Sequence, residues 1–186
     1  MILEIVGVLS GLLYVYLEIK KKSIMWLVGL VMAAVYVVIF AQSKLYAAMG
    51  LQIYYLGISL YGWWSWKKDK ENISEDSLTI NKFNWGVAGV STGLAAALFV
   101  LMAYVFGEYT GNSQPILDSL IAALSALGTY WLSRSYIQQW FVWIVVNILS
   151  VLMFVTQGLY LTSVLYFVYV LAAIYGYYYW KKYGTY

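Results

Sequence analysis

Two segments of this 186-residue chain carry the same apolar sequence. Residues 26–68 and 140–182 align without a gap, and fourteen of the 43 aligned pairs are identical. Tyr61-Gly62 in the first copy, for example, corresponds to Tyr175-Gly176 in the second. Membrane transporters are commonly built from such repeats, with the substrate bound where the repeats meet. The duplication therefore predicts a pseudosymmetric membrane protein.

The composition supports a membrane location and excludes several kinds of chemistry. Hydrophobic residues make up 63% of the chain and charged residues 10%, against roughly 25% charged residues in soluble domains. There is no cysteine and no histidine, which removes disulfides, the usual zinc sites and thiol or imidazole catalysis. We predict no metal site, no cofactor, no nucleic-acid partner and no enzymatic activity.

A membrane enzyme is the competing class of function, and it would need acidic groups held together at the membrane surface. The only acidic residues that lie close in sequence alternate with Lys and Asn in a polar stretch typical of a solvated loop: Asp69, Glu71, Glu75 and Asp76. A purely structural role is the other alternative, but it leaves the polar and aromatic patterns described below unexplained.

Apolar segments of the length needed to cross a bilayer, about 20 residues, occur seven times. We therefore predict an all-α integral membrane protein with seven transmembrane helices. The only proline, Pro115, stands where the fifth helix should begin, which suits the first turn of a helix. The predicted helices are residues 2–19, 23–42, 45–66, 85–106, 115–133, 137–156 and 159–180.

The helices fall into a 3+1+3 arrangement of two three-helix repeats and one linker helix. Upstream of the aligned copies, Leu9-Ser10-x-Leu12 recurs as Leu124-Ser125-x-Leu127 if one residue is dropped near Lys20–Lys22. Three helices of the first repeat and the linker helix cross the membrane before the second repeat begins. Because this number of crossings is even, the second repeat starts on the same side of the membrane as the first, and the repeats should be parallel. The predicted parts are a first repeat (1–66), a cytoplasmic linker (67–84), a linker transmembrane helix (85–106), an outer loop (107–114) and a second repeat (115–182).

The linker helix carries small residues at i, i+4 and i+8: Gly89, Gly93 and Ala97. Such a face allows close approach of helix backbones in lipid, so we expect the helix to pack as a strut. The alternative is that small residues are simply frequent in membrane helices.

Basic residues predict the orientation in the membrane. Ten of them fall on one side of the seven-helix arrangement and only Lys44 on the other, which places the N-terminus outside and the C-terminus in the cytoplasm. The ten are Lys20, Lys21, Lys22, Lys67, Lys68, Lys70, Lys82, Arg134, Lys181 and Lys182.

The sixth helix carries a polar and aromatic stripe, Trp140-x-x-Trp143-x-x-x-Asn147, whose spacings place all three side chains on one face. An Asn inside a membrane helix needs a protein partner, a cavity or a ligand. We therefore predict a substrate site here, and an ordinary interhelical hydrogen bond of Asn147 is the alternative. The counterparts in the first copy are Trp26, Gly29 and Ala33.

A second polar and aromatic face lies on the third helix, where Gln52, Tyr55 and Ser59 share the same spacing. The duplication matches Gln52 and Tyr55 with Tyr166 and Tyr169, and we include all five among the predicted substrate-binding residues. Aromatic faces without charges favour a flat, cationic ring as ligand. The tryptophans at 63, 64 and 66 border Lys67 and are expected at the membrane interface.

Coupling to an ion usually relies on acidic residues within the membrane. Glu4, Glu18 and Asp118 all lie near predicted helix ends. A uniporter is therefore favoured over a coupled pump, although binding of an ion by backbone carbonyls stays open. A phosphate-binding loop of the Walker type is absent from the sequence.

Over nearly its full length the chain resembles the PnuC-type vitamin transporters. The resemblance rests on the Trp140-x-x-Trp143-x-x-x-Asn147 stripe, on the segment 52–66 (QIYYLGISLYGWWSW), and on the run 158–162 (GLYLT) at the start of the last helix. The combination is more specific than any one of these features.

The resemblance implies a 3+1+3 membrane protein, often a homotrimer, that moves nicotinamide riboside across the inner membrane by facilitated diffusion with alternating access. A cytoplasmic vitamin kinase then traps the substrate by phosphorylation. It also implies that Trp140, Trp143, Asn147 and Gln52 contact the substrate. Related transporters carry thiamine or riboflavin, and the sequence leaves the choice of vitamin open.

Overall fold

The computed structural model describes residues 2–42, 46–71, 78–109 and 113–185. The surroundings of side chains are described from residue 11 onward, except at 43–48, 69–77 and 110–112. Three predicted features fall partly or wholly outside these residues. They are the single basic residue of the outer side, Lys44, the middle of the polar linker, and the tip of the outer loop.

Seven α-helices follow one another along the described chain. Their ends lie within three residues of the predicted ones, except that α3 continues past Trp66 to Glu71. The helices are α1 (Ile2–Ile19), α2 (Ile24–Gln42), α3 (Tyr46–Glu71), α4 (Trp85–Tyr109), α5 (Pro115–Ser133), α6 (Gln139–Thr156) and α7 (Tyr160–Tyr183).

Five of these helices are long and apolar enough to cross a bilayer, by the composition of the described residues: α2, α4, α5, α6 and α7. Many of their large apolar side chains face outward, as lipid-facing positions should. The chain is therefore a multi-pass membrane protein. That α1 and α3 also span the membrane stays a prediction.

Two compact units divide the chain. The first unit comprises Met1–Asn81, Ser133–Ser135 and Tyr178–Tyr186, and the second comprises Lys82–Leu132 and Tyr136–Tyr177. The first unit therefore contains α1 to α3 and the last turns of α7, and the second contains α4, α6 and most of α5 and α7.

The first unit contains a short parallel strand pair that the all-α prediction did not include. Strand β1 (Leu78–Thr79) in the linker pairs with β2 (Gly184–Thr185) near the C-terminus. Lys21 joins this pair because its Nζ donates to the carbonyl of Thr79 at 2.6 Å. Backbone groups outside helices need hydrogen-bond partners, and here the linker and the C-terminal segment supply them to each other.

Trp66 is a core residue of the first unit and is only 1% exposed. Its ring packs edge-on against Trp26 at 5.3 Å between centroids and lies 6.4 Å from Trp180. The prediction of an interfacial position is therefore wrong for Trp66, whereas Trp63 and Trp64 are exposed. The indole of Trp180 donates to the carbonyl of Ile19 at 3.0 Å, which ties α7 to the end of α1.

The turn from α1 to α2 and the turn from α5 to α6 have the same backbone structure. Each contains one non-glycine residue with positive φ, Lys21 at 47° and Ser135 at 56°. Such residues end helices by allowing the next amide to reach back to a carbonyl of the last turn. Three backbone hydrogen bonds of the first turn recur in the second. In the first turn the amides of Lys22, Met25 and Trp26 donate to the carbonyls of Leu17, Lys22 and Ser23, respectively. In the second turn the amides of Tyr136, Gln139 and Trp140 donate to the carbonyls of Trp131, Tyr136 and Ile137 in the same order.

These matched turns extend the ungapped alignment upstream. Leu17 corresponds to Trp131 at the same offset that relates Trp26 to Trp140. The expected one-residue drop near Lys20–Lys22 is therefore wrong, and the two copies align through this turn without it. At the same offset, Tyr14 corresponds to Gly128 one helical turn further upstream.

Helix α4 packs within the second unit through a different face from the one predicted. Ser91 accepts a hydrogen bond from Nε1 of Trp131 at 3.0 Å, and Ala88 is buried on the same side. A Cβ atom added at Gly89 or Gly93 would meet nothing within 4 Å. The expected close packing through the Gly89-Gly93 face is therefore wrong for contacts within the described chain.

Candidate functional site

Helix α6 presents the predicted stripe toward the interior of the second unit. Trp140 is buried, Asn147 is 7% exposed and Trp143 is half-buried. One turn beyond Asn147, Ser150 is also buried, and its hydroxyl donates to the carbonyl of Val146 at 2.9 Å. Trp140 and Asn147 are thus shielded from solvent in this conformation, and Trp143 is partly shielded.

Trp140 has a packing partner that explains why both copies carry a tryptophan. A Cβ atom at Gly176 would lie 2.5 Å from Cη2 of Trp140, and one at Gly62 would lie 2.5 Å from Cζ2 of Trp26. Real Cβ atoms essentially never approach so closely. In each copy, therefore, the indole occupies space that only a glycine on the following helix leaves free.

Trp143 has no such counterpart, because the first copy carries Gly29 at its position. Its indole lies against Gly128 of α5, where a Cβ atom would be 3.4 Å from Cε2 and 3.5 Å from Nε1. The Nε1 atom is buried and has no hydrogen-bond partner among the described residues. An indole N–H is a donor only, so Trp143 has an unused donor inside the unit.

The first unit has a matching arrangement with the two residue types exchanged. Gly29 of α2 faces Tyr14 of α1, whose Cε2 and Oη would lie 3.8 Å and 3.9 Å from a Cβ atom at that glycine. In the second unit the glycine is on α5 and the ring, Trp143, is on α6. Tyr14 was not among the predicted residues.

Asn147 and its counterpart Ala33 are both buried. The position is thus interior in both copies, and only the second copy places a carboxamide there. A buried carboxamide is costly unless its donors and acceptor are bonded. The comparison therefore marks Asn147 as a residue that packing alone does not require.

The predicted face of α3 lies in the first unit. Gln52 and Tyr55 are half-buried and Ser59 is buried. The hydroxyl oxygen of Ser59 would be 3.3 Å from a Cβ atom at Gly29, so it lies beside the same glycine as Tyr14. Glu18, one turn beyond Tyr14 on α1, is also buried.

The predicted residues of α7, Tyr166 and Tyr169, lie in the second unit and are half-buried. Their ring centroids are 5.5 Å apart in an edge-on arrangement. Tyr166 also lies 5.0 Å from the ring of Phe154 on α6. The structure thus brings α6 and α7 residues of the second unit together in one aromatic cluster.

One further residue of α6 was missed by the sequence analysis. Gln139 is completely buried, and neither its Nε2 nor its Oε1 has a hydrogen-bond partner among the described residues. The available signal was its counterpart Met25, an apolar residue at the same place in the first copy. Acidic residues do not form a metal-binding group of three anywhere in the described part of the chain.

Comparison with known proteins relates the whole chain to one family of transporters. The family model described as nicotinamide mononucleotide transporter matches residues 1–182. The nicotinamide riboside transporter PnuC of Escherichia coli is 28% identical, with 94% of this chain and 82% of the relative covered. That of Haemophilus influenzae is 30% identical, with 97% and 79% covered.

A more distant relative and a solved structure agree with this result. The riboflavin/roseoflavin transporter RibM of Streptomyces davaonensis is 23% identical, with 93% of this chain and 81% of the relative covered. The crystal structure of the vitamin B3 transporter PnuC matches with a TM-score of 0.65 at 22% identity, covering 95% of this chain and 79% of that one.

The fold is thus that of a known transporter structure. The family and these relatives are transporters, which confirms the prediction of a transporter rather than an enzyme. The resemblance inferred from the Trp-Trp-Asn stripe and its companion motifs is confirmed as well. With the match extending over residues 1–182, the chain belongs to the nicotinamide mononucleotide transporter family.

Proposed function

We propose that this protein takes up nicotinamide riboside by facilitated diffusion with alternating access. The observation that carries the proposal is the α6 stripe. Trp143 adds an indole N–H with no hydrogen-bond partner among the described residues, and Asn147 adds a buried carboxamide. The first copy packs without either group. Relatives 28% and 30% identical are nicotinamide riboside transporters, which supports this choice of substrate.

The chemistry of the stripe fits a pyridinium nucleoside. An indole face attracts a flat cation through stacking and cation–π contact. The Asn147 carboxamide offers two donors and an acceptor, which complement the carboxamide of the nicotinamide ring. In this proposal Trp143 and Trp140 contact the ring, and Asn147 orients it.

The remaining predicted residues are proposed as further substrate contacts. Gln52 and Tyr55 of α3 are half-buried, as are Tyr166 and Tyr169 of α7. Ser59 is the weakest member of this group because it is buried beside Gly29.

We further propose the parallel 3+1+3 arrangement, with the boundaries given above and α4 as the linker helix. The identical turns before Trp26 and Trp140 support two copies of one unit. The positions of the basic residues support an external N-terminus and a cytoplasmic C-terminus in the inner membrane.

Two partners belong to the same proposal. A homotrimer is supported by the Gly89-Gly93 face of α4, where an added Cβ atom would meet nothing within 4 Å among the described residues. Its small residues allow helices to associate in lipid. A cytoplasmic kinase that phosphorylates the vitamin would make uptake by facilitated diffusion unidirectional.

A second candidate substrate is riboflavin, because a relative covering 93% of this chain is named a riboflavin/roseoflavin transporter. Thiamine, another cationic aromatic vitamin, is the third. Thermal stabilisation of the purified protein by each vitamin tests the choice, since a ligand that binds only the native state raises its stability. We expect the largest shift with nicotinamide riboside, and a larger shift with riboflavin or thiamine would reassign the substrate.

Variants test the site. Trp143→Ala and Asn147→Ala should each reduce binding of nicotinamide riboside by about tenfold or more, equivalent to roughly 1.4 kcal/mol, at normal expression. Ile148→Ala on the exposed side of α6 is the matched control and should bind as the parent does. Parental binding by both site variants would show that the stripe is not the substrate site.

A further inference from the structure

Gln139 occupies a position that packing alone assigns to an apolar side chain. It is the first residue of α6, and its counterpart Met25 in the first turn of α2 follows a connection with matching hydrogen bonds. Both side chains are 0% exposed. The first copy therefore shows that a methionine fills this interior position.

The second copy fills the same position with a carboxamide that the protein does not satisfy. Neither amide atom of Gln139 has a hydrogen-bond partner among the described residues. Leaving buried polar atoms unbonded destabilises a fold, and most strongly where water is excluded. The substitution of a polar for an apolar residue thus has a cost that the local packing does not explain.

Gln139 is also aligned with the proposed site. Gln139, Trp143 and Asn147 are spaced i, i+4 and i+8 on α6, so they lie along one ridge of the helix surface. The two carboxamides are about 12 Å apart along the axis, with the indole between them. Nε1 of Trp143, the other unused donor on this ridge, lies between them.

We propose that Gln139 is a further substrate-binding residue that recognises the sugar of a pyridinium nucleoside. A carboxamide has both donors and an acceptor, and vicinal hydroxyl groups complement both. With Asn147 at the carboxamide end of the ring, Gln139 lies at the far end of the ridge, where the ribose would extend. The assignment rests on the proposed transport of nicotinamide riboside.

Binding at this ridge requires the side chains that cover it to move apart. Gln139, Trp140 and Asn147 are buried and Trp143 is half-buried, so the structure represents a conformation in which most of the ridge is covered. A transporter with alternating access passes through closed and open conformations. Gln139 would thus exchange an unsatisfied environment for substrate hydroxyls when the stripe opens.

The test compares nicotinamide riboside with its analogue that lacks the 2′ and 3′ hydroxyls, using binding to the full-length purified protein. We expect the parent to prefer nicotinamide riboside by about tenfold, and Gln139→Met to reduce this preference to within about threefold. Gln139→Met restores the residue type of the first copy, and Gln139→Leu is the second variant should the first not fold. The control Gln157→Met, at the exposed C-terminal end of α6, should keep the parental preference.

The outcomes separate this assignment from the transport proposal. A parent that prefers nicotinamide riboside while the Gln139 variants keep that preference would overturn the role of Gln139 alone. A parent that binds both ligands equally would also overturn it, because no residue then recognises the hydroxyls. A parent that binds neither ligand would refute nicotinamide riboside as the substrate, and the role of Gln139 with it.

Discussion

The two copies of the duplicated segment use the same backbone and place an aromatic ring on opposite helices. In the first unit Tyr14 on α1 lies against Gly29 on α2, and in the second Trp143 on α6 lies against Gly128 on α5. Each ring has a glycine opposite it, so the ring and the space for it changed together. A duplicated scaffold can thus become asymmetric without losing its packing density.

A second pair of contacts has not diverged. Trp26 against Gly62 and Trp140 against Gly176 are the same arrangement in both units. The contrast separates residues that maintain the fold from residues that packing leaves free to vary. Trp140 belongs to the first group as well as to the proposed site, whereas Trp143 and Asn147 belong to the second.

The largest expected effect comes from removing the shared indoles. Trp26→Ala and Trp140→Ala should each lower the free energy of unfolding by about 3–5 kcal/mol, the usual cost of deleting a buried aromatic side chain. Thermal unfolding in detergent measures both. Trp85→Ala, at a highly exposed tryptophan, is the control and should change stability little.

Similar losses for Trp26→Ala and Trp140→Ala would support equivalent scaffold roles. A stable Trp140→Ala protein beside an unstable Trp26→Ala protein would contradict the comparison. Trp140 would then have a role in the substrate site but none in stabilising the fold.

The next effect comes from filling the space that the glycines provide. Gly62→Ala and Gly176→Ala should each cost about 1–3 kcal/mol, since the new methyl group would overlap an indole ring. Gly57→Ala, on the open side of α3, should instead gain up to about 1 kcal/mol from helix propensity. Unfolding curves for the three variants check this order, and a stabilised Gly176→Ala would contradict it.

The two matched turns differ in how they bind the linker. Lys21 uses its side chain to reach the carbonyl of Thr79, whereas the backbone carbonyls of Arg134 and Ser135 accept from the side chain and the amide of Asn81. Lys21→Met should therefore cost about 1.5–3 kcal/mol, the usual value for a hydrogen bond to a charged group. Asn81→Ala, which removes one exposed neutral bond, should cost about 0.5–1.5 kcal/mol.

Thermal unfolding of these two variants beside Lys22→Met, at an exposed position, completes the comparison. A loss from Asn81→Ala that exceeds the loss from Lys21→Met would show that the second turn, rather than the first, holds the linker in place.

The smallest effect is expected at Gly128. A methyl group there would be 3.3 Å from Cγ1 of Val142 and 3.4 Å from Cε2 of Trp143, so a shift of a few tenths of an ångström by Val142, with the indole beside it, relieves the contact. Gly128→Ala should therefore keep stability within about 1 kcal/mol and weaken nicotinamide riboside binding only about threefold. Calorimetric titration measures this, and unchanged affinity would show that the position of the Trp143 ring is not critical.

Much of the fold was predictable because each helix is indicated by a local pattern of residues in the sequence. Apolar segments of spanning length, one proline and the polar breaks between them located all seven helices within a few residues. The stripe on α6 was equally visible from its spacing. The strand pair between residues 78–79 and 184–185 was not visible, because it joins segments more than a hundred residues apart.

The sequence by itself determined that this is a membrane protein of a transporter family, since hydropathy and motif spacing are properties of the chain. Only the tertiary structure decided which tryptophans are scaffold, that Tyr14 takes the place of an indole, and that Gln139 is buried without a hydrogen-bond partner among the described residues. Those facts depend on which side chains meet across helices. Contacts of that kind follow from packing, and no local pattern specifies them.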